Sequence, residues 1–262
     1  MARISSGPPN HARQVVVVTG ASRGLGAGLA AAFADEGMRL GLCARARPAQ
    51  PAGAVSVTAS VDVTDAAALD AFAVEVIEAF GRIDLWVNNA GVLAPIGPLA
   101  DADPDALHRH IDINILGVLH GSATFARHVR DRPGPGVLVN ISSGAATNPY
   151  EGWAAYCASK AAIEMTTEVI AREERDHGLM AFAVSPGVVD TDMQVLIRSI
   201  PPASFPEVDR FQRIHEDQAF NSPAWVARFI VEHCLDPAIA GHRRTPGSVR
   251  IRVPKQPDLP PA

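Results

Sequence analysis

The chain has few lysines, tyrosines and cysteines, and it has no long apolar run. Its 262 residues include two tyrosines, two lysines (Lys160 and Lys255) and three cysteines (Cys43, Cys157 and Cys234). No apolar stretch approaches the ~20 residues that a membrane-crossing helix needs. The first residues are polar and do not have the pattern of a signal peptide. Three scattered cysteines predict free thiols in a reducing compartment and no metal site. These absences favour a soluble, cytoplasmic protein.

Charge and composition exclude some partners. The net charge is −5 and apolar residues make up 47% of the chain, while the isoelectric point lies near 6.0. An acidic chain of this kind gives no support for binding to nucleic acid or to an anionic membrane. The apolar fraction is typical of a globular protein with a substantial core.

The scarcity of tyrosine and lysine makes one pair informative, because Tyr156 and Lys160 lie four residues apart. Composition alone gives such a pair a chance of about 1.5%. The segment 152–174 is rich in Ala, Glu and Arg and predicts a helix, on which residues i and i+4 share a face. A fixed cation beside a phenol lowers the phenol's pKa from its usual ~10 towards the range of a general acid or base. The alternative is a surface contact on an ordinary helix.

A serine strengthens the catalytic interpretation. Ser143 follows the apolar run 137–141, which is typical of a buried strand. Ser143 is therefore expected just beyond the carboxyl end of this strand, at the edge where open α/β sheets bind their ligands.

Strand and helix patterns alternate along the chain. Strands are predicted at 14–19, 39–44, 55–61, 83–87, 137–141, 180–185 and 248–253. Helices are predicted from the glycine-rich turn to about 37 and at about 66–80, 103–130, 153–177 and 223–234. This alternation predicts a single doubly wound Rossmann-type α/β domain, a parallel sheet with helices on both faces. The domain would span 14–253, between a disordered leader (1–13) and a flexible tail (254–262). The proline-containing segment 45–54 is too short for a full crossover helix.

A glycine-rich turn lies between the first strand and the first helix. Gly20, Gly24 and Gly26 would let the backbone approach a pyrophosphate, for which the helix N-terminus supplies N–H groups. A plain tight turn is the alternative. The spacing is Gly-x-x-x-Gly-x-Gly rather than Gly-x-Gly-x-x-Gly.

Arginines, and no acid, surround the end of the second strand. An acid there would bind a ribose 2′-hydroxyl, whereas arginine accommodates a 2′-phosphate. Here Arg45 and Arg47 follow the strand, and Arg23 lies in the glycine turn. Forked guanidinium donors suit a phosphate, so NADP(H) is predicted in preference to NAD(H). Solvated loop charges at Arg45 and Arg47 are the alternative.

Together these motifs resemble the short-chain dehydrogenase/reductase family over about residues 14–253. Thr19-Gly20-x-x-x-Gly24-x-Gly26, Asn88-Asn89-Ala90-Gly91, Asn114, Ser143, Tyr156-x-x-x-Lys160 and Pro186-Gly187 stand in the family's order. The family has a seven-stranded parallel sheet, in agreement with the strand pattern. The resemblance implies cofactor contacts from Gly20, Ser22, Arg23, Gly24, Leu25, Gly26, Arg45, Asp62, Val63, Asn89, Ala90, Gly91, Tyr156, Lys160, Pro186, Gly187, Val189 and Thr191.

The resemblance also implies the chemistry: reversible hydride transfer between a nicotinamide and a carbonyl carbon. Tyr156 would protonate the oxygen as general acid, Ser143 would donate a hydrogen bond to it, and Lys160 would lower the Tyr156 pKa and bind the ribose. Asn114 would hold a water that links Lys160 to solvent. Asp62 would contact the adenine and Thr191 the nicotinamide half.

Within the family, the run 186–194 looks like the sepiapterin reductase and benzil reductase branch. Sepiapterin reductases carry an acid near the C-terminus that anchors the pterin, and residues 249–253 contain none. A simpler ketone, diketone or aldehyde is therefore the expected substrate. The residues predicted to contact the substrate are Leu93, Tyr150, Trp153 and Met193.

Several alternatives stay open at this point. Tyr150 and Trp153 could equally be core or interface residues, and segment 199–220, within the substrate-loop region 187–221, could be a mobile lid or a surface excursion. The enzyme could work oxidatively on a secondary alcohol such as a hydroxysteroid, or the protein could be a regulator that binds NADP(H) without catalysis. By analogy with the family, a homodimer or homotetramer is expected.

Overall fold

One parallel sheet of seven strands organises the molecule. The computed structural model describes residues 11, 13–235 and 249–257. The strand order is β3-β2-β1-β4-β5-β6-β7, which confirms the predicted fold class. The strands are β1 (Val15–Thr19), β2 (Arg39–Ala44), β3 (Ser56–Ser60), β4 (Leu85–Asn88), β5 (Gly136–Ile141), β6 (Leu179–Ser185) and β7 (Arg250–Arg252).

Eight α-helices connect or follow these strands within the described ranges. Asp65 caps the second helix by accepting from the Ala68 N–H (3.0 Å), and Gly81 ends it in the left-handed conformation. None of the described helices is both long and apolar enough to cross a bilayer. The helices are α1 (Gly24–Asp35), α2 (Ala66–Phe80), α3 (Pro104–Ile111), α4 (Gly117–Arg130), α5 (Ala154–Glu173), α6 (Asp192–Ser199), α7 (Val208–Glu216) and α8 (Pro223–Ile230).

Alternating side chains of the central strands build a core on each face of the sheet. Val16 and Val18 of β1 belong to a buried cluster with residues of α1 and α8. Val15 and Val17 belong to a second cluster with residues of α2 and α4. Because successive strand residues point to opposite faces, a strand covered on both faces must be apolar throughout, and β1 is.

The helices after β4 and β6 differ from the sequence expectation. The helix predicted over 103–130 is interrupted between α3 and α4 by a π turn at Asp112–Leu116, and such turns are frequent at functional sites. Helices α6 and α7 occupy a region for which no helix was predicted. The segment between β2 and β3 contains no helix, as its prolines and length predicted.

The end of the described chain is fastened to the loop that follows β6. Asn221 donates to the Pro186 carbonyl (2.9 Å) and the Pro254 carbonyl (3.2 Å), and its side-chain oxygen accepts from the Gln256 N–H (2.7 Å). These residues form what we term the Asn221 junction. The first residues of the expected flexible tail are therefore held by hydrogen bonds, whereas 258–262 and nearly all of the expected leader lie outside the described residues.

Candidate functional site

A cavity of about 1170 Å³ opens at the carboxyl ends of the strands. Strands β2 and β4 flank β1 on opposite sides, so the strand order reverses there, which is where open α/β sheets bind ligands. Apart from Arg47, every residue predicted for cofactor or substrate lines this cavity, as do Ser143, Tyr156 and Lys160. Asn114 does not. Lining residues that the sequence analysis did not name individually include Asn148, Gln194, Leu196, Ile197, Arg210 and Phe211.

The glycine turn forms a tight cradle at one end of the cavity. Gly20 has a φ of 66°, and a Cβ there would come within 2.7 Å of the Ala90 Cα. Helix α1 begins directly after the turn, with no side-chain cap and no acid in its first turn. Its N–H groups and partial positive charge therefore face the cavity and suit an anionic pyrophosphate. The residues present fit the predicted dinucleotide.

Asn89 holds this cradle in place. Its side-chain amide donates to the Thr19 carbonyl (3.0 Å) and the Gly20 carbonyl (3.3 Å), while the Thr19 hydroxyl accepts from the backbone N–H groups of Asn89 (3.1 Å) and Ala90 (3.2 Å). Asn89 lines the cavity as predicted, and its amide donors are occupied by the turn. Its contribution to a cofactor site is therefore to fix the shape of the turn.

The arginines near the second strand have different environments. Arg45 lines the cavity, and within the described ranges its guanidinium has no ion-pair partner. Arg47 does not line the cavity, because its Nε donates to the Thr58 hydroxyl (3.0 Å). Arg23 forms an exposed ion pair with Asp192 at 3.2 Å. Arg45 is thus the side chain best placed to meet a phosphate on the ribose.

Tyr156 and Lys160 lie one turn apart on α5, and both are nearly buried, at 8% and 7% exposure. The Lys160 Nζ lies 5.5 Å from the centre of the Tyr156 ring and donates to the Ile141 carbonyl (2.8 Å). Ser143 follows β5 and lines the same cavity, close enough to Tyr156 to favour its phenolate. The three side chains that the sequence singled out are therefore brought together.

Burial dominates the electrostatics of this pair. It raises the pKa of Tyr156 to about 12, against the opposing effect of the hydrogen bond with Ser143. It also lowers the pKa of Lys160 to about 8. The pKa of Tyr156 was expected to fall beside Lys160, and this expectation is wrong: the pKa rises, because desolvation of the phenolate outweighs the hydrogen bond with Ser143. At neutral pH the phenol is protonated, the form that an acid requires.

Asn114 lies behind the cavity wall, in the π turn. It is 1% exposed, accepts from the Val92 N–H (2.8 Å) and donates to the Val92 carbonyl (2.8 Å). Its side chain therefore fastens the turn to the loop after β4. The water link to Lys160 stays a prediction. The sequence analysis gave no role to His110, four residues earlier, although its i, i+4 spacing to Asn114 was a usable signal.

Aromatic rings form part of the cavity wall. The Trp153 ring stacks on Phe205 at 4.5 Å and lies 4.9 Å from Tyr150 and 5.5 Å from Phe211. Trp153 thus belongs both to the core and to the cavity wall. Phe205, Val208 and Phe211 are buried, whereas most of segment 199–220 is exposed or half-buried. The segment is thus anchored by these three side chains, whose apolar spacing was the signal for α7.

Known proteins resemble the chain in sequence and in fold. Residues 14–200 match the family model for short chain dehydrogenase. A benzil reductase ((S)-benzoin forming) of Bacillus cereus is 32% identical over 227 residues, which are 82% of this chain and 91% of that protein. A 3beta-hydroxysteroid dehydrogenase 1 of Eggerthella lenta is 35% identical over 187 residues, 68% of this chain and 71% of that protein. The crystal structure of the KRED1-Pglu enzyme has a TM-score of 0.76 and 30% identity, with 91% of this chain and 99% of that chain covered.

The part of the chain that matches the family includes the main residues of the cavity. The glycine cradle, the Tyr156–Lys160 pair and Ser143 stand together at the strand ends, and the matched region contains all of them. Benzil reductases are among the relatives, in agreement with the predicted branch. The chain belongs to the short-chain dehydrogenase family.

Proposed function

We propose that the protein is an NADPH-dependent reductase of ketones, diketones or aldehydes. The family and its relatives establish an oxidoreductase of the carbonyl reductase and alcohol dehydrogenase kind. The observation that carries the finer proposal is the meeting of Tyr156, Ser143 and Arg45 on one cavity with the glycine cradle. In such a cavity Tyr156 could donate a proton and Ser143 a hydrogen bond to the oxygen of a carbonyl substrate. Arg45 could bind the phosphate of the cofactor in the same cavity.

Each side chain has a role in the proposed reaction. A bound nicotinamide cofactor supplies the hydride. Tyr156 gives its proton to the carbonyl oxygen, and Ser143 donates a hydrogen bond to the same oxygen as negative charge develops on it. Lys160 lies beside the phenol in a buried environment, where its positive charge favours the phenolate that remains. The reverse steps oxidise an alcohol.

Substitution of Arg45 tests the preference for NADPH over NADH. Arg45→Ala removes the proposed partner of the 2′-phosphate, and a charge-assisted hydrogen bond contributes about 1.5–3 kcal/mol. We expect the Kd of NADPH to rise about tenfold or more, while the Kd of NADH changes by less than about twofold. Titration of both cofactors by protein fluorescence measures this.

Arg47→Ala is the matched control, because Arg47 contacts Thr58 and does not line the cavity. It should leave both dissociation constants unchanged. Tighter binding of NADH than of NADPH by the unmodified protein would contradict the assignment, as would an unchanged NADPH affinity in Arg45→Ala.

The aromatic wall and the benzil reductase relatives support a substrate with aryl groups. Tyr150, Trp153 and Phe211 line the cavity, and aromatic side chains bind flat apolar groups well. Loss of NADPH absorbance in the presence of aryl diketones, aliphatic diketones and aldehydes tests the proposal. Turnover confined to the oxidation of secondary alcohols would favour the second candidate, a dehydrogenase, which the hydroxysteroid dehydrogenase relative supports.

Exposed apolar side chains on the central helices support a homodimer or homotetramer. Met165 (55% exposed) and Val169 (43%) lie one turn apart on α5, and apolar surface of this kind is commonly covered in an assembly. We expect light scattering to give two or four times the chain mass of 27.6 kDa, and Met165→Glu with Val169→Glu to lower it. The mass of a single chain would contradict this. Ile111, Leu116 and Leu119 are also exposed.

The sparse cysteines support a cytoplasmic location. Cys43 and Cys157 are free thiols in the described structure. Free thiols persist in a reducing compartment. Fractionation of cells with an antibody against the chain tests the location, and recovery outside the cytoplasm would contradict it.

A further inference from the structure

A buried histidine joins three elements behind the cavity. His110 lies on α3, one helical turn before Asn114, and its side chain is almost completely buried, at 1% exposure. It does not line the cavity. The edge of its ring meets the ring of Tyr156, with 6.3 Å between the ring centres and 80° between the planes. A polar ring placed here must find partners for both of its nitrogens.

The partners of the ring determine which nitrogen carries the proton. Nδ1 lies 2.8 Å from the Ala94 carbonyl, which can only accept, so Nδ1 carries the hydrogen. Nε2 is then an acceptor, and the Asn114 amide donates to it at 3.0 Å. The Ser159 hydroxyl, which donates to the Tyr156 carbonyl at 2.8 Å, lies 3.2 Å from the same nitrogen. The neutral ring therefore contacts the loop after β4, the π turn and α5.

We propose that His110 is a positioning residue of the active site. Its neutral ring holds the Asn114 turn and the Ala94 loop at a fixed distance from the helix that carries Tyr156 and Lys160. The inference rests on the proposed function, because it assigns His110 to the support of that function's proton donor. It adds a residue whose effect passes through Asn114, Ser159 and the Tyr156 ring, without contact with the substrate.

The charge state of His110 decides whether these contacts persist. Burial lowers its pKa, and the nearby positive charge of Lys160 acts in the same direction. The ring is therefore neutral at physiological pH. On protonation, Nε2 would carry a hydrogen and face the N–H groups of Asn114, so the acceptor would be lost. Lys160 and Tyr156 are the ionisable groups that face His110 from α5.

Two substitutions of His110 test the proposal in the intact enzyme. His110→Leu removes both hydrogen bonds with a side chain of similar bulk, and His110→Gln places an acceptor that does not titrate near Asn114. We expect His110→Leu to lower kcat about tenfold with the Kd of NADPH within about twofold of the original, because transition-state geometry is lost and cofactor binding is not. His110→Gln should recover kcat to within about threefold and should abolish the acid-side fall in kcat that His110 protonation causes.

His128→Leu is the matched control. His128 on α4 is also a partly buried histidine whose Nε2 accepts a hydrogen bond, from the Ile83 N–H at 3.0 Å, and burial also lowers its pKa. It lies outside the cavity lining. Its substitution should lower the melting temperature and leave kcat and its pH profile unchanged.

Several outcomes would overturn the proposal. If His110→Leu keeps full kcat, His110 is a packing residue only. The same conclusion follows if His128→Leu lowers kcat as much as His110→Leu does. Failure of His110→Gln to recover kcat, or an acid limb that it does not change, would count equally against the proposal. If His110→Leu does not fold, the pH profile of His110→Gln decides. Tyr156→Phe measured in parallel separates the failures, because full turnover by that variant refutes the proposed function itself.

Discussion

Replacing Tyr156 with phenylalanine is expected to lower kcat about a thousandfold, a loss of about 4 kcal/mol of transition-state stabilisation. The substitution keeps the ring in its contacts with Trp153 and His110 and removes only the hydroxyl that would give its proton to the carbonyl oxygen. Because the glycine cradle and Arg45 lie elsewhere on the cavity, the Kd of NADPH should change by less than about threefold. Stopped-flow or steady-state loss of NADPH absorbance measures kcat.

The only other tyrosine provides the control. Tyr150 lines the same cavity, and its hydroxyl accepts from Arg210 at 3.3 Å. Tyr150→Phe therefore removes a hydroxyl from the substrate wall without touching the proton donor, and kcat should stay within about threefold. Near-normal turnover by Tyr156→Phe would rule out the acid role, and an equal fall in both variants would indicate a loss of shape.

Lys160→Met should stabilise the protein while it abolishes turnover. Burial lowers the pKa of Lys160 to about 8 from its ordinary value near 10.5, so the folded state carries a penalty of up to about 3 kcal/mol when the amine is charged. Methionine has similar length and no charge. The Ile141 carbonyl loses its partner, which costs about 1 kcal/mol, so the free energy of unfolding should rise by about 1–2 kcal/mol at pH 7.

The sign of the pH dependence follows from the lowered pKa. The unfolded chain binds the proton more tightly, so the penalty is fully present below pH 8 and disappears as the pH rises towards 10.5. The difference between the two proteins in denaturant unfolding should therefore shrink over that window. Lys255→Met, at the exposed second lysine, should change neither stability nor kcat. A less stable Lys160→Met with full activity would contradict the prediction on both counts.

The sequence predicted the sheet and the meeting of Tyr156, Lys160 and Ser143 for physical reasons. Strands such as β1 are covered on both faces, so their apolar runs are unambiguous, and the cavity forms where consecutive strands end. Tyr156 and Lys160 could be paired because helical spacing alone brings i and i+4 together. Ser143 was expected beside them because it follows β5 at the edge of the sheet where ligands bind.

Contacts between elements distant in sequence were beyond such reasoning. The packing of Phe211 on Trp153 brings α7 against the residue that precedes α5, a contact that no local pattern specifies. The π turn at Asn114 depends on hydrogen bonds to Val92, 22 residues earlier. The pKa of Tyr156 was expected to fall, and burial reverses the direction, because the extent of desolvation is a property of the whole fold.

The Asn221 junction has a practical consequence for the handling of this enzyme. Gly187, with a φ of 77°, passes so close to Asn221 that a Cβ there would lie 2.7 Å from the amide nitrogen. The Asn221 side chain thus connects Pro186, which borders the cavity, to Pro254 and Gln256 by hydrogen bonds. Shortening the protein after Val253 would break this connection, and an affinity tag belongs on the other terminus or beyond residue 257.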